Sequence, residues 1–302
     1  DNSLRFVGAT STLNADTSVT NDRKLTVTAG GETITFDGAI GGAADGALAD
    51  LDVTAATITL GGNVTVDDQG TNEITFTGPV VLAANVVIDT DGAADNSLRF
   101  VGATSTLNAD TSAANDRTLT VDAGDGSVTF GGAIGNVAAG ALADLDVTAA
   151  TITLGGNVTV DDQGTNEITF TGAVVLAADV VIDTDGTAAT DNSLRFVGAT
   201  STLNADDAVA NDRKLTVTAG GGTATFDGAI GDAADSALAD LDVTASSISL
   251  GGNVTVDDQG ANEITFTGPV VLAANVVIDT DGAADNSLRF VGATSTLNAD
   301  DA

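Results

Sequence analysis

The sequence predicts an all-β fold, a parallel β-solenoid built from coils of about 24 residues. Three observations predict it: a long repeat of about 94 residues, a shorter repeat that ends in glycine, and a local alternation of apolar residues with threonine. The chain has 302 residues, of which 43% are hydrophobic and 36 are glycine. This apolar content is high enough to form a core and is not typical of a disordered chain.

The long repeat begins with the string DNSLRFVGATSTLNAD, which starts at Asp1, Asp95, Asp191 and Asp285. These starts indicate one continuous repeat array over residues 1–302, with copies 1–94, 95–190 and 191–284 and a partial copy 285–302. An enzyme gains little from near-identical copies of one site, whereas a spacer gains length from each copy. The long repeat therefore favours a structural role over catalysis.

The shorter repeat is an aliphatic residue, any residue, Phe or Leu, any residue and then Gly. It recurs about every 24 residues on average, a period typical of solenoids. We expect its Phe and Leu anchors to stack as one column in the core, although the interval from Leu60 to Phe76 is short for a three-sided coil. After Phe6, the predicted core anchors are Phe36, Leu60, Phe76, Phe100, Phe130, Leu154, Phe170, Phe196, Phe226, Leu250, Phe266 and Phe290.

Locally, apolar residues alternate with threonine, as in the segment TITF at 33–36. This period of two predicts short, half-buried strands, and the glycine after each anchor predicts a tight corner. One coil cannot bury its own inward side chains, each worth about 1.5–3 kcal/mol when fully buried, so stability must come from stacking on the next coil. The fold is therefore expected to be extendable.

The structural alternative is a tandem array of 94-residue Ig-like β-sandwiches, which would form separate globular beads. No proline-rich hinge separates the copies, and the two prolines, Pro79 and Pro269, each follow a glycine. The sequence therefore favours the solenoid.

Charge and composition exclude several classes of partner. The chain contains 43 acidic and 9 basic residues, a net charge of −34, so nucleic acid and anionic membrane surfaces are not expected partners. No apolar run reaches the ~18 residues that a membrane span needs, so we expect no membrane insertion in this segment. Both ends of the chain fall inside a repeat, so the expected partners are further copies of itself, end to end or side by side.

The segment ITFTGPVVLAANVVID at 74–89 resembles the β-helical repeats of filamentous-haemagglutinin-like large bacterial exoproteins. The resemblance extends over most of the chain, through TITFDG at 33–38 and TITLGG at 57–62. It implies a right-handed parallel β-helix and a secreted adhesin or surface fibre. The export domain of that family has no counterpart in these residues.

Calcium is the only cofactor that the sequence suggests, at an acidic segment that recurs between copies. Carboxylates at alternate positions around a glycine are typical of a calcium loop, but the closing bidentate Glu is absent. The simpler interpretation is an acidic turn whose Asp and Asn side chains bind their own backbone. The residues of this hypothetical site are Asp89, Asp91 and Asp95, with Asp279, Asp281 and Asp285 in a later copy.

No catalytic residues are predicted, because the chain has no His or Cys and no carboxylate pair stands out from the rest. The sequence thus predicts a non-enzymatic extracellular protein at the cell surface, a stalk or filament segment of a bacterial fibre or adhesin with a receptor still to be identified. The functional alternative is a calcium-dependent binding module, or an ice-binding module that uses outward threonine pairs such as Thr33 and Thr35.

Overall fold

The chain folds as an all-β parallel β-solenoid with coils of roughly 24 residues. Within the described residues there are 29 strands and no helix, and the chain divides into two compact units, Asp1–Thr151 and Ile152–Ala302. Each unit is considered by itself. The structure is a computed structural model that describes residues 3–16, 23–43, 46–66, 73–90, 97–111, 117–137, 139–161, 167–184, 193–206, 213–233, 236–256, 263–280 and 287–300.

Unit 1 contains short strands in which inward apolar residues alternate with outward polar ones. The strand β3, for example, has the sequence TITF, and its Ile and Phe are buried. The strands are β1 (Leu4–Phe6), β2 (Lys24–Thr28), β3 (Thr33–Phe36), β4 (Asp50–Thr54), β5 (Thr57–Leu60), β6 (Val64–Thr65), β7 (Glu73–Thr77), β8 (Val80–Leu82), β9 (Val86–Asp89), β10 (Ser97–Phe100), β11 (Leu107–Ala109), β12 (Thr118–Asp122), β13 (Ser127–Phe130) and β14 (Asp144–Leu154), whose last residues belong to unit 2.

The strands of unit 1 stack in three parallel ladders, one for each side of the coil. Ladder A contains β1, β3, β5, β8 and β11, and ladder B contains β2, β4, β7, β10 and β13. Ladder C contains β6, β9, β12 and the first half of β14, preceded by isolated bridges that join Leu13 to Ile40 and Ile40 to Val64. The chain passes through ladders A, C and B in turn, so each coil has three sides.

The number of residues in a coil varies from coil to coil. The corners account for this variation, because the paired strands stay in register. In ladder A, Leu4 pairs with Ile34, Ile34 with Ile58 and Ile58 with Val80, so the separation of stacked partners in the sequence falls at each step. Corners are solvated and tolerate different lengths, whereas a strand that gained one residue would turn its apolar side chains outward.

Unit 2 repeats this construction with ladders D, E and F. Ladder D contains the first half of β16 with β18, β21, β23, β26 and β29, and ladder F contains β15, β17, β20, β22, β25 and β28. Ladder E joins the second half of β16 to β19, then through Ile230 to β24 and β27. The strands are β15 (Val158–Thr159), β16 (Glu167–Leu176), β17 (Val180–Asp183), β18 (Ser193–Val197), β19 (Leu203–Ala205), β20 (Lys214–Thr218), β21 (Thr223–Phe226), β22 (Asp240–Thr244), β23 (Ser247–Leu250), β24 (Val254–Thr255), β25 (Glu263–Thr267), β26 (Val270–Leu272), β27 (Ile278–Asp279), β28 (Ser287–Val291) and β29 (Leu297–Ala299).

The inward side chains of the three ladders form the core of each unit. Eleven of the twelve predicted anchors, Phe36 to Phe266, are at most 2% exposed. Position 34 and its equivalents illustrate the tolerance of the core, since Ile34, Val128 and Ala224 are all fully buried although their volumes differ.

The Ig-like alternative is wrong. Every strand pair in both units, among the residues that the structure describes, is parallel, whereas an Ig-like sandwich consists of antiparallel strands. Parallel neighbours that lie about one coil length apart in the sequence are the signature of a solenoid and exclude a hairpin, which joins antiparallel strands.

The expectation of a single column of anchors is also wrong. Phe36 and Leu60 lie in ladder A, whereas Phe76, Phe100 and Phe130 lie in ladder B. The short interval from Leu60 to Phe76 is the reason, because it covers only two sides of a coil and carries the chain from β5 through β6 to β7.

Phe290 differs from the other anchors, since it is 38% exposed. Its strand, β28, pairs with β25 on one side, and no described strand pairs with its other side. The ring of Phe290 therefore packs against Phe266 on one face only. A fully buried ring such as that of Phe100 packs against side chains of the coil before it and of the coil after it.

Glycines at the corners allow backbone segments of neighbouring coils to approach closely. Gly78 has a φ of +123°, and a Cβ atom there would lie 2.0 Å from the carbonyl oxygen of Ala55 on the previous coil. At Gly62, a Cβ atom would lie 2.7 Å from the backbone nitrogen of Ala39. Both positions exclude a side chain, as the predicted corners require.

Candidate functional site

The most distinctive constellation is an aromatic stack where one copy of the long repeat meets the next. In unit 1, the ring centroid of Phe76, from copy 1–94, lies 5.5 Å from that of Phe100, from copy 95–190, and Phe100 lies 5.3 Å from Phe130. In unit 2, Phe170 lies 5.6 Å from Phe196 and Phe196 5.2 Å from Phe226. Offset or tilted rings at this spacing stabilise one another beyond their burial. Copies are therefore joined by the same core packing that holds coils together.

Buried hydroxyl groups fix the corners at these junctions. Ser105 is 1% exposed, and its hydroxyl donates to the carbonyl oxygen of Val101 (2.6 Å) and accepts from the N–H of Gly78 (2.9 Å). Ser201 makes the equivalent bonds with Val197 and Gly172 in unit 2. Each hydroxyl thus satisfies two buried backbone groups, one of them on the previous coil, and leaving these groups unpaired would be costly.

Asparagine side chains bind the backbone of the following coil. The Oδ1 of Asn63 accepts from the N–H of Val87 (3.0 Å), and Asn157 and Asn253 bind the equivalent positions in later copies, each 24 residues further along the chain. Sequence reasoning did not select these residues. Their cross-coil role has no local sequence signal, because it depends on which corner lies above which.

Arginine and aspartate residues seven positions apart form ion pairs at one corner of each copy. Arg117 binds both carboxylate oxygens of Asp110 at 3.0 and 3.2 Å, and Arg213 binds those of Asp206 at 2.8 and 3.1 Å. The hydrogen bond that Arg213 donates to Asp206 raises the pKa of Arg213 above its ordinary value, although partial burial opposes this. In the first copy, the Nη2 of Arg23 lies 3.2 Å from the Oδ2 of Asp16, and both side chains are exposed. These pairs hold the two ends of a corner together.

The residues of the hypothetical calcium site are only partly described. Asp89 ends β9 and Asp279 ends β27, while Asp91, Asp95, Asp281 and Asp285 lie outside the described residues. No group of three or more possible metal ligands occurs in the described part of the chain. The calcium site therefore stays a prediction.

The ladders bring Asp89 beside a residue that sequence reasoning did not select. Asp89 is the register partner of Asp122 on the next coil, so the two carboxylates lie side by side on ladder C. In the next copy the equivalent aspartate, Asp183, is the register partner of Thr218. The carboxylate pair is therefore not a repeated feature, and two aspartates so far apart in the sequence give no signal that they will meet.

Comparison with known proteins gives one informative similarity. A segment of 261 residues, 84% of this chain, is 28% identical to outer membrane protein A of Rickettsia rickettsii. No protein-family model matches the chain, and no solved structure matches it.

The matched segment is 10% of the length of the rickettsial protein, so this chain spans about a tenth of that relative. The similarity extends across most of the repeats of this chain and is not confined to one motif. No helix in the described residues is long and apolar enough to cross a membrane.

Proposed function

We propose that this chain is a non-enzymatic structural segment of a bacterial surface protein, a stalk or filament section whose length is set by the number of copies. One observation carries the proposal: aromatic and aliphatic packing continues from one copy to the next without a break, as the Phe76, Phe100 and Phe130 stack does in unit 1. A structure joined in this way lengthens with each copy added.

Two further observations support an extracellular location at the cell surface. The rickettsial relative is named as an outer membrane protein, and a solenoid of repeated coils is consistent with an extracellular adhesin-like or structural role. Membership of the filamentous-haemagglutinin-like family is a narrower proposal and rests on the resemblance of the repeats alone.

The proposed partners are further copies of the same repeat, stacked end to end or packed side by side, together with a surface receptor. Continuation end to end is supported by the ring contacts that already join one copy to the next inside the chain. The strong negative charge disfavours nucleic acid as a partner and makes neighbouring chains repel one another at low salt.

The proposal is tested by changing the number of copies. Deletion of residues 95–190, or insertion of a second copy of them, is expected to change the maximum dimension measured by small-angle X-ray scattering by about 18 Å, because each copy adds nearly four coils that are about 4.8 Å apart.

A matched control is the ratio of β-structure to chain length from circular dichroism, which should not change when copies are added or removed. A compact particle would behave differently, since its radius grows only as about the 0.38 power of chain length. A maximum dimension that did not rise linearly with the number of copies would exclude the spacer role.

The second candidate function is calcium-dependent binding, which the side-by-side carboxylates of Asp89 and Asp122 favour at one junction. If calcium binds there, the melting temperature of the chain is expected to rise with calcium and not with the same concentration of magnesium, because Mg²⁺ demands a smaller and more regular site. The control is D122N, which should abolish the calcium effect at that junction. Equal responses to both ions would indicate general screening of the negative charge.

A further inference from the structure

The number of coil sides in one copy of the long repeat is not a multiple of three. Between Phe6 and its equivalent in the next copy, Phe100, the chain forms eleven sides, each with one central inward residue. Those residues are Phe6, Leu13, Val27, Phe36, Ile40, Val53, Leu60, Val64, Phe76, Leu82 and Ile88. Four complete coils would need twelve sides, so each copy is one side short.

The registers show the consequence within each unit separately. In unit 1, Phe6 lies in ladder A, where it pairs with Phe36, but Phe100 lies in ladder B, where it pairs with Phe76. In unit 2, Phe196 lies in ladder D, where it pairs with Phe170, but the next equivalent, Phe290, lies in ladder F and pairs with Phe266. Equivalent residues of successive copies therefore occupy different sides of the coil.

We propose that each copy of the long repeat acts as a screw step, which turns the outward surface of the copy to the next of the three faces. An array that continues with this step presents the same surface on the same face only after every third copy. The inference deepens the proposed function and rests on it in one respect, namely that copies continue to stack in a longer array.

The physical basis of the step is that more than one ladder accepts a side whose central inward residue is a phenylalanine. Ladder A has Phe6, Phe36 and Leu60 inward, whereas ladder B has Val27 and Phe76 in the corresponding places. A phenylalanine thus fits ladder A and ladder B alike, and differences in path length are taken up at the corners. A copy begins on ladder A at Phe6 and on ladder B at Phe100.

The step also explains why the aromatic stack lies at the copy junction. Phe76 is the ninth side of its copy and Phe100 is the first side of the next, which places them three sides apart and hence directly above one another. A copy of twelve sides would place Phe100 above Leu82, and the stack of Phe76, Phe100 and Phe130 would not form. A copy of eleven sides thus joins its neighbour through the largest side chains of both.

The functional consequence concerns how partners bind along the array. The outward residues Arg5 and Arg99 are equivalent in sequence but lie on different ladders. A partner that lies along one face and spans two copies therefore contacts a different set of residues in each copy. A partner that binds a single copy finds the same residues in the next copy, but on another face. Two arrays that lie side by side, likewise, cannot match the same surface of every copy along one face.

The step is tested by cysteine pairs, for which this chain has no native background. Thr75 and Arg99 are register partners, so T75C/R99C is expected to form an intramolecular disulfide on mild oxidation. If a copy had twelve sides, Val81 and not Thr75 would be the register partner of Arg99. The pair V81C/R99C is therefore expected to stay reduced. The control T59C/V81C joins register partners within one copy and is expected to close, which shows that Val81 is accessible. Intact mass after thiol alkylation measures closure.

The screw step would be overturned if a disulfide formed in V81C/R99C, whether or not one formed in T75C/R99C. It would also be overturned if T75C/R99C stayed reduced while the control T59C/V81C formed its disulfide. A second measurement does not depend on thiol chemistry. The combined loss of melting temperature in F76L/F100L should be smaller than the sum of the single losses, whereas the losses in F36L/F100L should add. Additive losses in both pairs would also overturn it. The spacer role is judged separately, because a chain that fails these tests can still lengthen with each copy.

Discussion

Replacement of Phe100 by alanine is expected to lower the free energy of unfolding of the surrounding coils by about 3–5 kcal/mol, the usual cost of removing a buried ring. Phe100 is fully buried, and its ring lies between those of Phe76 and Phe130 at 5.5 and 5.3 Å. The substitution leaves a cavity between two copies, and it removes both ring contacts. Because coils unfold locally in repeat proteins, hydrogen exchange of the amides in β7, β10 and β13 is the most direct measurement.

The matched control is Phe290→Ala, at the equivalent position on the last described coil. That ring is 38% exposed and contacts only one other ring, that of Phe266. The loss of stability there should be about half as large or less, since both the cavity and the buried area are smaller. Equal losses at the two positions would contradict the idea that the junction stack joins the copies.

Replacement of Gly78 by alanine is expected to cost about 2–4 kcal/mol, because it combines an unfavourable backbone conformation with a steric clash. The φ of Gly78 is +123°, and the new Cβ atom would lie 2.0 Å from the carbonyl oxygen of Ala55. The neighbouring coil would have to move away, which would break the hydrogen bond from the N–H of Gly78 to Ser105. Denaturant unfolding of the full chain measures the effect.

The control for this substitution is Gly31→Ala. A Cβ atom at Gly31 meets no other atom within 4 Å, and its φ lies outside the left-handed region. Alanine there should be neutral or slightly stabilising, because it restricts the unfolded chain. If both variants lost the same stability, the cost at Gly78 would not come from contact between coils.

The strands were predictable from the sequence to a large extent. Segments such as TITF at 33–36 and TITL at 57–60 alternate apolar and polar residues, and they form β3 and β5 with the expected faces buried. This succeeded because the burial of a residue in a half-buried strand depends on its own side chain and on a local period of two. The glycine corners at Gly62 and Gly78 were predictable because a glycine follows each anchor at a fixed spacing, and glycine tolerates a tight corner.

The cross-coil contacts were not predictable. The hydroxyl of Ser105 binds Gly78 from 27 residues away, and Asn63 binds Val87 from 24 residues away. Ser and Asn near a glycine are also typical of ordinary turns, so their types do not distinguish a local bond from one between coils. The partner is decided by the lengths of the corners between them, which have no regular pattern.

The sequence by itself determined that this chain forms short strands with glycine corners and that the strands recur with a period suited to coils. Only the tertiary structure decided which strand stacks on which, and it distributed the anchors over more than one ladder in each unit. The physical reason is that inward or outward orientation is fixed residue by residue, whereas stacking is fixed by backbone hydrogen bonds between segments whose separation includes corners of variable length.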